Sequence, residues 1–344
     1  MQAYYASRGE ALMTTTATKS TRKLGATGPS IFPIALGCMG MSGVYGAADE
    51  SESIATIHAA VDAGINLIDT GDFYDMGHNE MLVGRALRFI RDQVLISVKF
   101  GAQRSPDGAF LGFDARPVAV KTALAYTLKR LGVDHIDIYR PARLDPNVPI
   151  EDTVGAIADM IKAGYVRHIG LSELGPETIR RAAAVHPIVD LQIEYSLISR
   201  SPEAKIFPLL RELGIAATAY GVLSRGLLSG SSIAGSGDMR NRFPRFAADN
   251  LVRNQQLVAR LKQIAETWGI TPSQLAIAWV LAKGDSIVPL MGSRTRAQLA
   301  ESLAALEVKL SPTEIADLEA AIRPEEVAGT RYDEHQMKVL DSEK

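Results

Sequence analysis

The sequence is poor in cysteine, with Cys38 the only one among 344 residues. A lone thiol makes no internal disulfide and leaves no four-ligand zinc or cluster site. An excess of one charge sign is also missing. The chain carries 37 basic and 39 acidic side chains, a formal charge of −2, so nothing pulls it globally toward nucleic-acid phosphates or anionic membranes. No stretch of about 18 apolar residues runs without Gly, Pro or charge, which excludes a spanning helix. The N-terminus mixes Tyr4, Tyr5, Arg8 and Glu10 with a Ser/Thr run and has no apolar h-region, so it does not read as a signal peptide. Residues 1–21 read instead as a loose extension ahead of one domain over 22–344. His58, His135, His168 and His186 share no ligand spacing and no His-Glu-x-x-His occurs, so no metal is expected. The class that remains, at 47% hydrophobic and 22% charged residues, is a cytoplasmic globular enzyme. It has no nucleic-acid or membrane partner; a homo-oligomer is compatible with the sequence, which carries no sign of subunit number.

What is present is alternation. Short runs rich in Ile, Val and Leu occur at Pro33–Leu36, Ile65–Asp69, Val94–Lys99, Ile136–Arg140, Val166–Leu171, Val189–Glu194, Ile215–Tyr220 and Ser286–Leu290. They are apolar on both faces, as buried parallel strands are. Helical segments lie between them. Thr271-Pro272-Ser273-Gln274 and Ser311-Pro312-Thr313-Glu314 carry capping-box signatures, and Ser201-Pro202-Glu203 offers an N-cap with proline after it. Gly64, Gly132, Gly164 and Gly214 stand where helices stop before the next strand. Eight such units predict a closed (β/α)₈ barrel. The long gap from Gly221 to Gly284 exceeds one helix, and its Gly/Ser-rich stretch Ser229–Asp238 reads as a mobile loop. A doubly wound sheet fails because Gly37-Cys38-Met39-Gly40-Met41-Ser42-Gly43 has the wrong glycine spacing for a dinucleotide turn.

In such a barrel, chemistry sits on the loops after the strands. The second strand ends at Asp69 and Thr70, followed by Tyr74 and His78, and the third ends at Lys99. Strand alternation places Asp69 and Lys99 on corresponding sides of neighbouring strands. A cation beside the Tyr74 phenol would lower its pKa and make a proton donor. Two other readings stay open on the residues alone: a buried barrel ion pair with a wall tyrosine, or a Schiff-base lysine in a lyase.

The run Gly64-Ile65-Asn66-Leu67-Ile68-Asp69-Thr70, then Tyr74, then Gly77-His78-Asn79-Glu80-Met81-Leu82-Val83-Gly84, resembles the signature of the aldo-keto reductase family. The likeness continues through Val98-Lys99, Asp145–Thr153, Ile169–Ser172, Gln192–Ser196, Ala219-Tyr220, Gly226–Gly230 and Ile287–Arg294, from about Arg22 to Met337. It implies a (β/α)₈ barrel that uses NADPH to reduce a small carbonyl compound. Tyr74 would be the general acid, with Lys99 and Asp69 tuning it. Ser172 and Gln192 would hold the nicotinamide carboxamide, Tyr220 would stack on the ring, and the turn bearing Gly221, Leu223, Ser224 and Gly226 would lie against the cofactor. Gly292, Ser293 and Arg294 would take the 2′-phosphate, with Gln298, Glu301 and Ser302 near the ribose and adenine. Glu173 stands where relatives often have Asn, and Ser302 replaces another usual Asn.

The main departure is on the fourth strand, where Ala142 occupies the place of a histidine that orients the substrate carbonyl. A fourth strand without it resembles the pyridoxal-reductase-like branch and makes pyridoxal a candidate substrate. Arg140, one pleat deeper, is expected either to rise into the vacated space as a cationic donor or to form a plain salt bridge. His78 and Met39 are the other candidates for substrate contact, although His78 reads first as a loop-stabilising residue and Met39 equally as core packing. Arg294 could alternatively be a solvated loop charge. Cys38 reads as a small buried hydrophobe, and Trp268 and Trp279 as packing residues. The alternative function is a regulatory or sensor protein that binds the nicotinamide cofactor and turns over little.

Overall fold

The structure is a computed structural model that describes residues 21–231, 233, 235 and 238–344. The predicted N-terminal extension therefore lies almost wholly outside the described residues, as does part of the predicted mobile loop. Eight parallel strands close into a barrel: β1 (Ala35–Gly37), β2 (Leu67–Gly71), β3 (Leu95–Phe100), β4 (Ile136–Pro141), β5 (Val166–Ser172), β6 (Ile188–Glu194), β7 (Ala216–Tyr220) and β8 (Ile287–Gly292). Every predicted strand is present, displaced by at most two residues at either end. The helices that follow or precede them include α1 (Glu50–Ala63), α2 (His78–Leu87), α3 (Pro117–Leu131), α4 (Ile150–Lys162), α5 (Pro176–Val185) and α6 (Ile206–Leu213). The gap before β8 holds α7 (Ala248–Thr267) and α8 (Pro272–Ala282), and α9 (Arg296–Ala304), α10 (Pro312–Ala321) and α11 (Glu334–Val339) complete the chain. None of the described helices is long and apolar enough to cross a membrane.

Local chemistry sets these boundaries. Thr271 and Ser311 form reciprocal capping boxes with Gln274 and Glu314, satisfying N–H groups that a helix start leaves unpaired. Gly64, Gly132, Gly164 and Gly214 all take positive φ, the left-handed turn that releases each helix toward its strand. One start signal misleads. Ser201-Pro202-Glu203 forms a single 3₁₀ turn, and α6 begins only at Ile206.

The barrel interior is layered. A short hairpin pairing Arg22–Lys23 with Ser30–Ile31 inserts Leu24 and Ile31 into a plug with Leu67, Ile138, Val189, Ala216 and Val288. Above that apolar floor lies a buried polar layer. Arg140 donates to Asp190 at 2.9 Å and to Ser97 Oγ at 3.0 Å, and the Thr218 hydroxyl also reaches Asp190. Gly170 makes room for the guanidinium: a Cβ there would stand 2.8 Å from Arg140 Cζ and 2.7 Å from Asp190 Oδ1. The outer apolar core fills the space between the strands and the surrounding helices.

Candidate active site

The C-terminal ends of β2 and β3 meet above the polar layer. Their register sets Asp69 opposite Ser97 and Gly71 opposite Lys99, so the side chains of Asp69, Ser97 and Lys99 all enter the barrel mouth. Asp69 accepts from Ser97 Oγ at 2.8 Å, from Gln192 Nε2 at 2.9 Å and from the Lys99 ammonium. A buried carboxylate needs this satisfaction, because an unpaired one costs several kcal/mol.

Tyr74 is carried over the cluster by a turn in which Asp75 and Met76 adopt φ of 47° and 50°. Such left-handed angles strain non-glycine residues and need surrounding contacts to hold them. The anchor behind the turn is Asn79, fully buried. It accepts from Thr70 Oγ1 at 2.6 Å and donates to the Cys38 carbonyl at 2.9 Å and to Ser42 Oγ at 2.8 Å. Lys99 Nζ lies 5.1 Å from the centre of the Tyr74 ring, within cation–π range.

The phenol's acidity departs from expectation. Burial and the Asp69 carboxylate hold the Tyr74 pKa well above its ordinary value, with Arg143 opposing. The Lys99 charge is spent on Asp69 and lies toward the ring centre, so it does not dominate. Burial also lowers the Lys99 pKa, while Asp69 acts in the opposite direction. The Lys99 amine is nearly fully buried and committed to Asp69, an arrangement unsuited to a Schiff-base nucleophile, which needs a free amine facing its substrate.

Ser172 and Gln192 share this mouth, as the likeness implied, and β5–β6 pairing sets them side by side. Tyr220 also faces it, but its hydroxyl is bound to Glu173 Oε1 at 2.8 Å and lies 3.0 Å from Tyr332 Oη. Glu173 holds a latch rather than an amide contact. It is fully buried and takes a bidentate Arg331 at 2.9 and 2.6 Å and the Ser342 hydroxyl at 2.6 Å. These bonds strap the C-terminal segment 331–344 across the barrel mouth. Burial pushes the Glu173 pKa up, but Arg331, with Arg143 and the Ser342 hydroxyl, brings it down to about 2.

The second cluster lies where β8 runs into α9. Ser293 Oγ is buried without a partner, and a Cβ on Gly292 would find only Gly37 O, 4.0 Å away. The Arg294 side chain packs over Gly40 and donates to Tyr45 O at 3.1 Å, so it is not a freely solvated charge. Gln298 accepts from the Arg294 backbone N–H at 2.9 Å and Glu301 from Thr271 Oγ1 at 2.7 Å. Ser302 turns its hydroxyl back onto Gln298 O at 3.0 Å, which directs it into its own helix. After β7, Gly221 and Gly226 have positive φ and so do Ser224 and Arg225. Ser224 lies 3.4 Å from Arg245, and Leu223 packs on the core.

Other candidates are placed differently. Arg140 does not rise into the space beside Ala142; it is fully buried and paired with Asp190, because the β4 pleat aims it into the layer below. His78 is a tether, with Nδ1 3.1 Å from Ser42 Oγ and Nε2 3.4 Å from Glu50, and it lines an outer groove with Arg85, Arg88 and Arg130. Met39 stays half-buried in the turn after β1. Cys38 and Trp279 are core residues, and Trp268 is exposed. Sequence reasoning missed Arg143, Tyr332 and Arg331, and it gave Asn79 no role. Of these, only Asn79 and Arg143 stood within or beside a recognised motif.

Residues 33–323 match the family model described as the aldo/keto reductase family. A Glycine max protein called probable aldo-keto reductase 1 is 40% identical over 90% of this chain and 91% of its own length. A Schizosaccharomyces pombe aldo-keto reductase, whose name specifies NADP(+), is 37% identical over 91% and 94%. Among solved structures, a Gluconobacter oxydans glycerol dehydrogenase superposes with a TM-score of 0.79 at 28% identity, over 90% of this chain and 97% of that one. A holo aldo-keto reductase from Bacillus halodurans gives 0.75 at 25% identity, over 92% and 99%. A closed eight-stranded barrel, a family model spanning most of it and two relatives well above 30% identity agree: this chain belongs to the aldo/keto reductase family.

Proposed function

We propose that this NADP-dependent aldo-keto reductase turns a small aldehyde or ketone into the alcohol, with Tyr74 giving the proton. The observation that carries the reading is the Asp69–Lys99–Tyr74 cluster at the barrel mouth. The residues present fit the cofactor. The orphaned Ser293 hydroxyl and the open backbone at Gly292 lie beside Arg294, a donor set suited to a phosphate monoester. Ser172 and Gln192 would hold the carboxamide, Tyr220 the ring face, and Gly221, Leu223, Ser224 and Gly226 the cofactor's flank. Gln298 and Glu301 would meet the ribose end, while Ser302 is spent on its own helix. When bound, the reduced nicotinamide supplies hydride to the carbonyl carbon.

The chain's own residues manage the proton. With its pKa held high, Tyr74 stays protonated at neutral pH and can only donate. An alkoxide is a far stronger base than a phenolate, so the transfer runs downhill as charge develops on the carbonyl oxygen. Lys99 sits ready to stabilise the phenolate left behind, and Asp69 holds Lys99 in place. The cytoplasm as its location, and 22–344 as one domain, belong to the same reading.

The test is NADPH consumption against pyridoxal, a nitrobenzaldehyde, methylglyoxal and an α,β-unsaturated aldehyde, comparing wild type with Tyr74→Phe. Turnover should fall by roughly 10²–10⁴-fold in the variant. Undiminished turnover refutes the role of Tyr74. Tight NADPH binding with no consumption of any carbonyl refutes the reductase reading in favour of cofactor sensing.

A further inference from the structure

Around Tyr220 and Tyr332 the barrel mouth holds several arginines, and all but one have a carboxylate; Arg294, in the β8–α9 turn, instead bonds to Tyr45 O. Arg331 pairs with Glu173 and Glu343, Arg225 and Arg245 with Glu194, and Arg140 below them with Asp190. Arg143 is the exception. Its guanidinium reaches the Ala142 carbonyl at 2.6 Å and then only hydroxyls: Tyr332 at 3.2 Å, Ser172 at 3.3 Å and Tyr220 at 3.5 Å. Among the described residues no carboxylate lies within salt-bridge distance of it. Charge-assisted hydrogen bonds run about 2.7–2.9 Å, so the three hydroxyl contacts are long and weakly held. Glu173 acts on this charge only through space, and a half-buried cation hydrogen-bonded to neutral groups alone is open to an anion.

Its place is set by the backbone. The β3–β4 register puts Lys99 opposite Arg140 and Phe100 opposite Pro141, and Ala142 N–H then donates to Phe100 O at 2.8 Å. Strand β4 ends at Pro141, which has no N–H to continue a ladder. The next two residues therefore turn over the mouth beside Lys99. Ala142 projects only a methyl group there, and Arg143 reaches across to Ser172 and Tyr220. Its charge also lowers the Tyr74 phenol, against burial and Asp69.

We infer that Arg143 is a catalytic residue: its guanidinium donates hydrogen bonds to the carbonyl oxygen and stabilises the developing alkoxide, the work left undone by Ala142. The inference rests on the reductase reading above. As the carbonyl carbon receives hydride, the C=O π pair moves onto oxygen, and the Tyr74 Oη proton completes the alcohol. Arg143 keeps all its protons throughout, and the Tyr74 phenolate regains its own from solvent. For this to happen, the bonds from Arg143 to Ser172, Tyr220 and Tyr332 give way to the substrate oxygen, a fair exchange of neutral acceptors for a charged one.

The test uses full-length protein, NADPH and 4-nitrobenzaldehyde, which bears no anionic group, with Arg143→Met, Arg143→Lys and Arg143→Ala. Loss of one oxyanion donor costs about 10²–10³ in kcat, so Arg143→Met should lose about that much. NADPH affinity, read by fluorescence titration, should stay within about threefold, which also reports that the variant is folded. Arg143→Lys should lose less, and guanidinium in solution should restore Arg143→Ala saturably, a response that a packing defect would not give. A kcat within about threefold of wild type, or a loss carried wholly by NADPH affinity, overturns the inference. Tyr74→Phe runs alongside. A collapse there with Arg143→Met unaffected removes Arg143 alone, whereas a wild type that reduces nothing takes down both readings.

Discussion

Glu173→Gln isolates the latch over the barrel mouth. Glu173 is buried and accepts hydrogen bonds from Arg331, Ser342, Tyr220 and the Glu194 backbone N–H. Two routes give the size of the effect. Moving a carboxylate pKa from 4.5 to about 2 corresponds to roughly 3 kcal/mol of preference for the folded, ionised form. Removing one partner of a buried ion pair costs about 3–5 kcal/mol. The sign follows from the direction. A depressed acid contributes stability that is complete above pH 4.5 and disappears as pH falls toward 2, so wild type weakens in that window and Glu173→Gln does not. At neutral pH the variant keeps its side-chain shape but leaves Arg331 with Glu343 as its one close carboxylate and Glu194 at 3.7 Å. The segment 331–344 is otherwise held by the Gly175 N–H to Asp341 bond at 2.7 Å, the Tyr332 hydroxyl's contacts with Tyr220 and Arg143, and the buried Leu340. It should therefore open locally before the barrel unfolds. Hydrogen exchange of 331–344 should speed up by about 10²-fold, the equivalent of roughly 3 kcal/mol, with the barrel strands unchanged. Exchange within about threefold of wild type at pH 7 would refute the assignment of Glu173 as the latch.

Gly170→Ala drives a methyl group to within 3 Å of Arg140 and Asp190 and should cost about 1–3 kcal/mol, measured by urea denaturation. Asp190→Asn breaks the buried pair with Arg140 and should cost about 3–5 kcal/mol. Because that pair lies below the mouth, turnover per folded molecule should change little, and a collapse of kcat at full folding would contradict this placement. Asp72 is half-buried near Glu80, with its Oδ1 buried and unpartnered, and desolvation pushes its pKa up to about 7. A raised acid favours the fold most below pH 4 and loses that contribution as pH rises to 7, by up to roughly 4 kcal/mol. Asp72→Asn should therefore gain on wild type across pH 4–7 in thermal melts, and parallel curves would refute it.

The barrel was legible in the sequence because each unit repeats a local rule: an apolar run buried on both faces, a helix, then a glycine that must turn left-handed. Asp69 and Lys99 were legible for the same reason, since strand register alone brings them together, whereas Tyr74 was legible from its place in the loop that follows and from the family likeness. What escaped depends on contacts between distant parts of the chain. Nothing near Glu173 announces that Arg331, 158 positions on, will fold back to meet it, so a residue that looked like a lost amide contact is the anchor of a strap. The Tyr74 pKa went the wrong way for a related reason. Sequence supplies the neighbouring charge but not the depth of burial, and in a closed barrel burial outweighs a lysine already neutralised by Asp69. Arg140 and Arg143 show the limit most sharply. Both flank Ala142, and alternation favoured Arg140 as the side chain to fill the gap. Alternation holds only while the strand lasts. Strand β4 ends at Pro141, one bond from Ala142 N–H to Phe100 O following it; Arg140, still within the pleat, enters a paired layer, and Arg143, beyond the strand, reaches the mouth without a counter-ion.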